Sequence, residues 1–138
     1  MSFTMTQKIL FKHCDPAGIV FYPRYFEMIN DCVEVFFDVE LAHPFEELHQ
    51  IGGVPTVRIE TVFQAPSRHG DTLDITLECL RLGRSSLDLE FTSVCGQEER
   101  FKSNSTLVYV DNSGKSNSWP APLRQRLEQH LKEQNDVT

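Results

Sequence analysis

The sequence predicts an α+β domain in which an antiparallel five-stranded sheet wraps one long central helix, with a short C-terminal helix behind it. Three observations carry this. Residues 23–38 repeat apolar side chains at helical spacing, five other segments alternate apolar and polar residues, and the joints between the later strands are short and turn-like. Strands and helices do not alternate, which excludes a doubly wound parallel sheet. At 138 residues the chain is expected to form one domain. A chain of that length removes about two thirds of its unfolded surface from water and needs no metal or disulfide to hold a core.

The first alternation runs over residues 3–12, with Phe3, Met5, Ile9 and Phe11 on one face and Thr4, Thr6, Lys8 and Lys12 on the other. His13-Cys14-Asp15-Pro16-Ala17-Gly18 then reads as a turn: Pro16 holds Asp15 extended, and Gly18 tolerates a positive φ. In the helix, Tyr25, Met28, Ile29, Cys32, Val33, Phe36 and Phe37 form one buried stripe, and Pro23 suits a first turn that needs no N–H there. Glu27, Asp31, Glu34 and Asp38 line its opposite side and read as a solvated face.

A loop with His43-Pro44 and Gly52-Gly53 follows. Four strands come next, over about residues 57–65, 73–79, 87–95 and 100–110, and their short joints predict that successive strands are neighbours. Leu123, Leu127 and Leu131 mark a last helix over about 121–134, with Trp119 as its anchoring plug.

Thirteen basic against twenty acidic residues give a net charge of −7, which argues against nucleic acid or an anionic membrane as partner. No apolar run is long enough to span a bilayer, and residues 1–8 do not resemble a secretion signal, so a cytoplasmic location is expected. Cys14, Cys32, Cys79 and Cys95 have neither zinc nor redox spacing and read as reduced thiols. The five histidines show no ligand-like spacing, and no metal is expected.

The junction between first strand and long helix is where chemistry concentrates. The Asp15 carboxylate precedes a helix start, where free N–H groups favour negative charge, and Ile19-Val20-Phe21-Tyr22 is apolar enough to dry the site. A carboxylate beside oxyanion-binding amides is a minimal acyl-transfer arrangement, and one such donor is worth roughly 3 kcal/mol of barrier. No general acid stands out. A thiol with pKa about 8.5 leaves as thiolate without one, whereas an amide nitrogen needs a proton, so a thioester is the natural substrate. Taken singly, Asp15 is a turn residue, Arg84 an ordinary hairpin arginine, and His69-Gly70-Asp71 a turn. Cys14 is structural, because the neighbouring carboxylate suppresses its thiolate. His13 reads as a solvent-exposed strand-end histidine.

The segment Cys14-Asp15-Pro16-Ala17-Gly18-Ile19-Val20-Phe21-Tyr22-Pro23-Arg24-Tyr25 closely resembles the signature of the 4-hydroxybenzoyl-CoA thioesterase-like proteins of the hotdog fold. A looser likeness extends over residues 5–112, including the Gly83-Arg84-Ser85-Ser86 turn. The resemblance implies sheets paired edge to edge in a homodimer, or a homotetramer of two dimers, with sites at the subunit interface. It further implies that Asp15 is the catalytic nucleophile or general base and that the Tyr22 backbone N–H polarises the thioester carbonyl. Arg84, with Ser85 and Ser86, would contact coenzyme A phosphates. Members dedicated to hydroxybenzoyl substrates carry an acid near Asn30, a substrate-contacting position, and more basic residues around Arg84. Asn30, Gly83 and Ser85 therefore point away from the hydroxybenzoyl group and leave an acyl-CoA as the expected substrate. No separate cofactor is implied, since coenzyme A arrives within the substrate. An acyl-carrier-protein thioesterase of the same fold and a non-catalytic acyl-CoA-binding dimer are the alternatives.

Overall fold

The computed structural model describes residues 2–133. Strand β1 (Phe3–Lys8) is shorter than the alternation suggests, because residues Phe11–His13 turn into a 3₁₀ helix. The Leu10 N–H is taken by His13 Nδ1 at 2.9 Å, so the ladder stops there. Phe11, expected on the buried face, is exposed and lies against the His69 ring instead.

Helix α1 (Pro23–Val39) buries the seven expected stripe residues and no others, and Glu27, Asp31, Glu34 and Asp38 face solvent. The expected loop after it contains a one-turn helix, α2 (Phe45–Leu48), which drives Leu48 into the core. It also contains strand β2 (Gly52–Gly53), paired antiparallel with a later two-residue strand. Gly52 has a steric reason: a Cβ there would collide with the Val110 carbonyl oxygen.

The main sheet is completed by β3 (Thr56–Phe63), β4 (Thr72–Leu82), β5 (Ser86–Cys95) and β6 (Glu98–Val108), and β7 (Val110–Asp111) is the partner of β2. Its order is β1-β4-β5-β6-β3, antiparallel throughout. This is the five-stranded α+β architecture the sequence predicts, with one correction. Strands β3 and β4 are not neighbours despite the short joint between them. Residues 64–71 cross to the other side of the sheet, so that β3 pairs with β6 at one edge and β4 with β1 near the other.

The crossing is held by a cation that reaches back from β6. Arg100 is almost wholly buried, and its Nη1 donates to Asp71 Oδ2 at 2.7 Å, Ser67 Oγ at 3.1 Å and the Pro66 carbonyl at 3.2 Å. Its backbone carbonyl accepts from the Gln64 N–H at 2.8 Å. One side chain thus closes three points of the joint.

Strand β3 also departs from expectation. Its alternation is present, but Val57, Ile59 and Phe63 remain 61%, 40% and 46% exposed, and Val62 on the other face is 58% exposed. The single helix covers the middle of the sheet and leaves this edge bare.

Helix α3 (Ala121–His130) buries Leu123 and Leu127 and stops earlier than expected; residue 134 lies outside the described residues. The chain leaves the helix because Leu131 bridges Cys79 and the Lys132 N–H donates to the Cys79 carbonyl at 2.8 Å, along the part of β4 that β1 does not reach. Trp119 is buried, as its reading as a plug requires. No described helix is long and apolar enough to cross a membrane.

Hydrogen bonds from Arg100 and the Arg68 N–H hold the Asp71 carboxyl below its usual range. A lowered folded-state value contributes stability that is complete above the unfolded-state pKa and is lost as pH falls through the native one. Arg100→Met is expected to cost about 3 kcal/mol in urea titrations at neutral pH, since it strands a half-buried carboxylate. In Asp71→Asn, stability is expected to fall less than in the wild type between about pH 5 and pH 2.

Candidate active site

The segment between β1 and α1 folds back on itself as a narrow loop. Cys14 bridges Val20, the Asp15 N–H donates to the Ile19 carbonyl at 2.9 Å, and the Phe21 N–H donates to the His13 carbonyl at 2.9 Å. At the tip, the Gly18 N–H closes a turn onto the Asp15 carbonyl at 2.9 Å, with Gly18 at φ +82°. Asp15 Oδ1 accepts the Ala17 N–H at 2.9 Å. The carboxylate is thereby fixed by one oxygen, and Oδ2 accepts no hydrogen bond among the described residues. The loop is held to the sheet through the crossing joint: the Val20 N–H donates to the Ser67 carbonyl at 2.8 Å, and Ile19 bridges Arg68.

This loop delivers the chain to the first turn of α1, and the hydrogen bonds there are uneven. Tyr22 is the N-cap and Pro23, with no N–H, follows it. The Arg24 N–H donates to the Phe21 carbonyl at 2.8 Å and the Tyr25 N–H to the Tyr22 carbonyl at 3.0 Å. Of the donors that a helix start normally offers, the Tyr22 N–H is left without an acceptor among the described residues. Tyr22 borders a groove of about 480 Å³ that Ile19, Val20, Tyr25, Phe63 and Pro66 also line. The two ends of one loop therefore carry the expected acid and the expected donor, and the residue with the donor stands beside a mostly apolar groove.

His13 is not the exposed histidine the sequence suggests. It is buried, its Nδ1 is occupied by the Leu10 N–H, and burial lowers its pKa, so the ring is a neutral structural acceptor.

Asn30 sits two turns along α1, about 12 Å beyond Tyr22 at 1.5 Å per residue. It borders a larger cavity of about 720 Å³ between α1 and the bare edge, together with Glu34, His49, Ile59, Ser105 and Leu107. Phe26 from this cavity and Phe63 from the groove meet edge to face, with ring centroids 6.4 Å apart, and form an aromatic partition between the two spaces. Arg84, Ser85 and Ser86 lie elsewhere, on the β4–β5 turn, where Arg84 borders a third depression with Trp119 and Arg124. A single chain brings Asp15 and Tyr22 onto one loop, but among the residues that line the groove beside Tyr22 it places neither Asp15 nor Asn30 nor residues 84–86.

Sequence reasoning missed Phe63, Pro66 and Ser105 as walls of these spaces. Phe63 had a legible signal, an aromatic residue on an edge strand; a joint proline and an inward serine had none. Among the described residues no cluster of His, Cys, Asp or Glu has the arrangement of a metal site.

Comparison with known proteins places these features. The model of the thioesterase-like superfamily matches residues 9–127. The 4-hydroxybenzoyl-CoA thioesterase of Pseudomonas sp. (strain CBS-3) is 32% identical over 77 residues, and the match covers 54% of this chain and 55% of that protein. The chain thus aligns with about half the length of this curated relative. The crystal structure of the same Pseudomonas protein superposes with a TM-score of 0.82 at 25% identity, covering 91% of this chain and 98% of that one. A gentisyl-coenzyme A thioesterase superposes with a TM-score of 0.83 at 25% identity, over 91% and 99% of the two chains. A 1,4-dihydroxy-2-naphthoyl-CoA thioesterase from Synechocystis, 17% identical with a TM-score of 0.85 over 92% and 96%, shares the fold. The chain belongs to the thioesterase-like superfamily, and its fold is the hotdog fold.

Gly18→Ala is a test of the loop itself. A Cβ at this position meets no atom within 4 Å, so the substitution adds only the strain of a left-handed residue. The expected loss is about 1–2 kcal/mol in chemical denaturation, with no change in fold by circular dichroism.

Proposed function

We propose that this member of the thioesterase-like superfamily hydrolyses an acyl-CoA thioester to a free carboxylic acid and coenzyme A. The observation that carries the reading is the unpaired Tyr22 N–H at an apolar groove, on the loop that also holds Asp15. The thioester carbonyl oxygen accepts from that N–H, and the bond strengthens as negative charge develops on the oxygen. Asp15 then acts by one of two routes. It attacks the carbonyl carbon, giving an anhydride that water opens, or it takes a proton from water as that water attacks. Either way the C–S bond breaks, sulfur leaves as thiolate and is protonated by solvent, and the acid is released. The step uses no cofactor beyond the coenzyme A of the substrate.

The bare β3 edge supports a homodimer built by pairing β3 with its copy, alone or within a homotetramer of two such dimers. Phe63 lies both on this edge and in the groove wall, so the assembly would complete the site. In this reading a partner brings the β4–β5 turn, with Arg84, Ser85 and Ser86, within reach of the coenzyme A phosphates, and Asn30 contacts the acyl group. A cytoplasmic setting suits an acyl-CoA substrate and the four free thiols, two of which, Cys32 and Cys79, burial pushes up to about 12.

Asp15→Asn keeps an acceptor for the Ala17 N–H and so preserves the turn while removing the charge. Turnover of a panel of acyl-CoAs, followed by trapping the released thiol, is expected to fall by about 10²–10⁴-fold; unchanged turnover refutes the role of Asp15. Faster release from acyl carrier protein would reassign the carrier, and tight CoA-ester binding with no thiol released by the wild type would indicate a binder.

Val57→Lys with Val62→Lys places charges on the exposed edge without touching the core. Sedimentation is expected to show monomers, with activity lost in parallel. A wild type that sediments as a monomer excludes the edge-paired site.

A further inference from the structure

The β4–β5 turn is held in an unusual way. All four of its carbonyls accept a hydrogen bond from residues that follow β6. The Gly83 carbonyl accepts from Arg124 Nη1 at 2.9 Å, the Arg84 carbonyl from the Trp119 N–H at 3.1 Å, and the Ser85 carbonyl from the Tyr109 N–H at 2.7 Å. The Ser86 carbonyl accepts from Trp119 Nε1 at 3.1 Å and from the Gly83 N–H at 2.9 Å. The Arg84 and Ser85 N–H groups, by contrast, donate to nothing among the described residues. With acceptors tied inward, the turn presents two successive N–H groups, the Arg84 guanidinium and the Ser85 hydroxyl. Successive backbone N–H groups without acceptors form an anion-binding concavity, and a guanidinium beside them suits phosphate oxygens.

Trp119 and Arg124 are well placed to fix this geometry. Trp119 is buried against the Tyr109 ring at 5.6 Å, so both of its donors are held in register with the turn. Arg124, on the first turns of α3, is oriented by Glu128, whose Oε1 lies 3.1 Å from its Nε.

We propose that Trp119 and Arg124 are positioning residues for phosphate recognition: the segment between β7 and α3 locks the carbonyls of residues 83–86 inward so that the turn meets the phosphate groups of coenzyme A with donors only. The inference rests on the acyl-CoA reading above and extends it to residues outside the site loop.

The test is calorimetric titration of the full chain with coenzyme A and with pantetheine, which lacks the nucleotide phosphates, alongside acyl-CoA hydrolysis. Three variants are compared. Arg124→Met removes the donor to Gly83, Trp119→Phe removes the ring donor to Ser86 while keeping an aromatic plug, and Arg126→Gln removes one charge from α3 without touching the turn. Arg124→Met, which frees the Gly83 carbonyl, is expected to weaken coenzyme A about tenfold, the effect of one hydrogen bond at a charged ligand, and Trp119→Phe, which leaves the Gly83 N–H on the Ser86 carbonyl, about threefold. Pantetheine affinity should be unchanged, and in kinetics the loss should appear in KM. Arg126→Gln should bind coenzyme A like the wild type. Equal losses for coenzyme A and pantetheine, no loss in either positioning variant, an equal loss in Arg126→Gln, or a wild type that binds pantetheine as tightly as coenzyme A would each overturn the inference. Should Trp119→Phe fail to fold, Arg124→Met decides alone. A wild type that binds coenzyme A with the expected phosphate dependence but releases no thiol from its esters would refute the hydrolase reading and leave the turn's role standing.

Discussion

The Arg100 guanidinium reaches back from β6 to the joint between β3 and β4 and adds side-chain bonds to the backbone bonds that joint already makes. Residues 64–71 must carry the chain from one side of the sheet to the other, and they do so beside the loop that bears Asp15. Asp71, Ser67 and the Pro66 carbonyl all close on this one cation, which lies almost wholly out of water. Ser67 in turn accepts the Val20 N–H through its carbonyl, so the position of the loop before α1 depends on the crossing being fixed. A buried cation costs several kcal/mol to desolvate, and only a full set of acceptors offsets this. The arrangement therefore behaves as a lock: complete, it orders both segments; with one partner missing, it becomes a liability to both.

The second constraint is coverage. One helix of 17 residues presents a single apolar stripe, and the sheet that wraps it is five strands wide. Strands β4, β5 and β6 bury alternate residues against that stripe, and β1 is flanked by polar threonines and lysine on its outer face. Strand β3 has neither protection, and its valines and Phe63 stand in solvent in the isolated chain. Edge strands with apolar faces are templates for pairing. The same geometry explains why the larger cavity lies between α1 and this edge, the place where the fold runs out of its own side chains.

The helix and strands were legible because their periodicities are long and consistent. Seven residues at three- and four-residue spacing can be buried together only on a helix, and the structure buries those seven. What was not legible followed from partners distant in sequence. The short joint 64–71 looks like a hairpin connection; that it is a crossing depends on Arg100, some thirty residues later. His13 looks like a strand-end residue until the Leu10 N–H is seen to occupy its Nδ1. Asp15 could be singled out because it precedes a helix start, and Tyr22 through the likeness of residues 14–25 to a family signature, whereas Phe63 and Pro66 reach the groove only through the crossing. Trp119 announced itself as a plug, but its two donors to the β4–β5 turn have no signature in sequence.

Two places in the molecule present donors by the same economy. At the start of α1, Pro23 removes one N–H and the Phe21 and Tyr22 carbonyls take up two others, which leaves the Tyr22 N–H alone. At the β4–β5 turn, Tyr109, Trp119 and Arg124 take up the carbonyls and leave the N–H groups of Arg84 and Ser85. Unpaired backbone donors are costly only where water cannot reach them, and Tyr22 and Arg84 are both exposed. A site made in this way needs no reorganisation when an oxyanion or a phosphate arrives, because the competing acceptors are already engaged elsewhere. That is the condition under which a backbone N–H contributes most to binding developing charge, and in the proposed acyl-CoA reading it lets an acidic protein hold an anionic ligand without a broad basic surface.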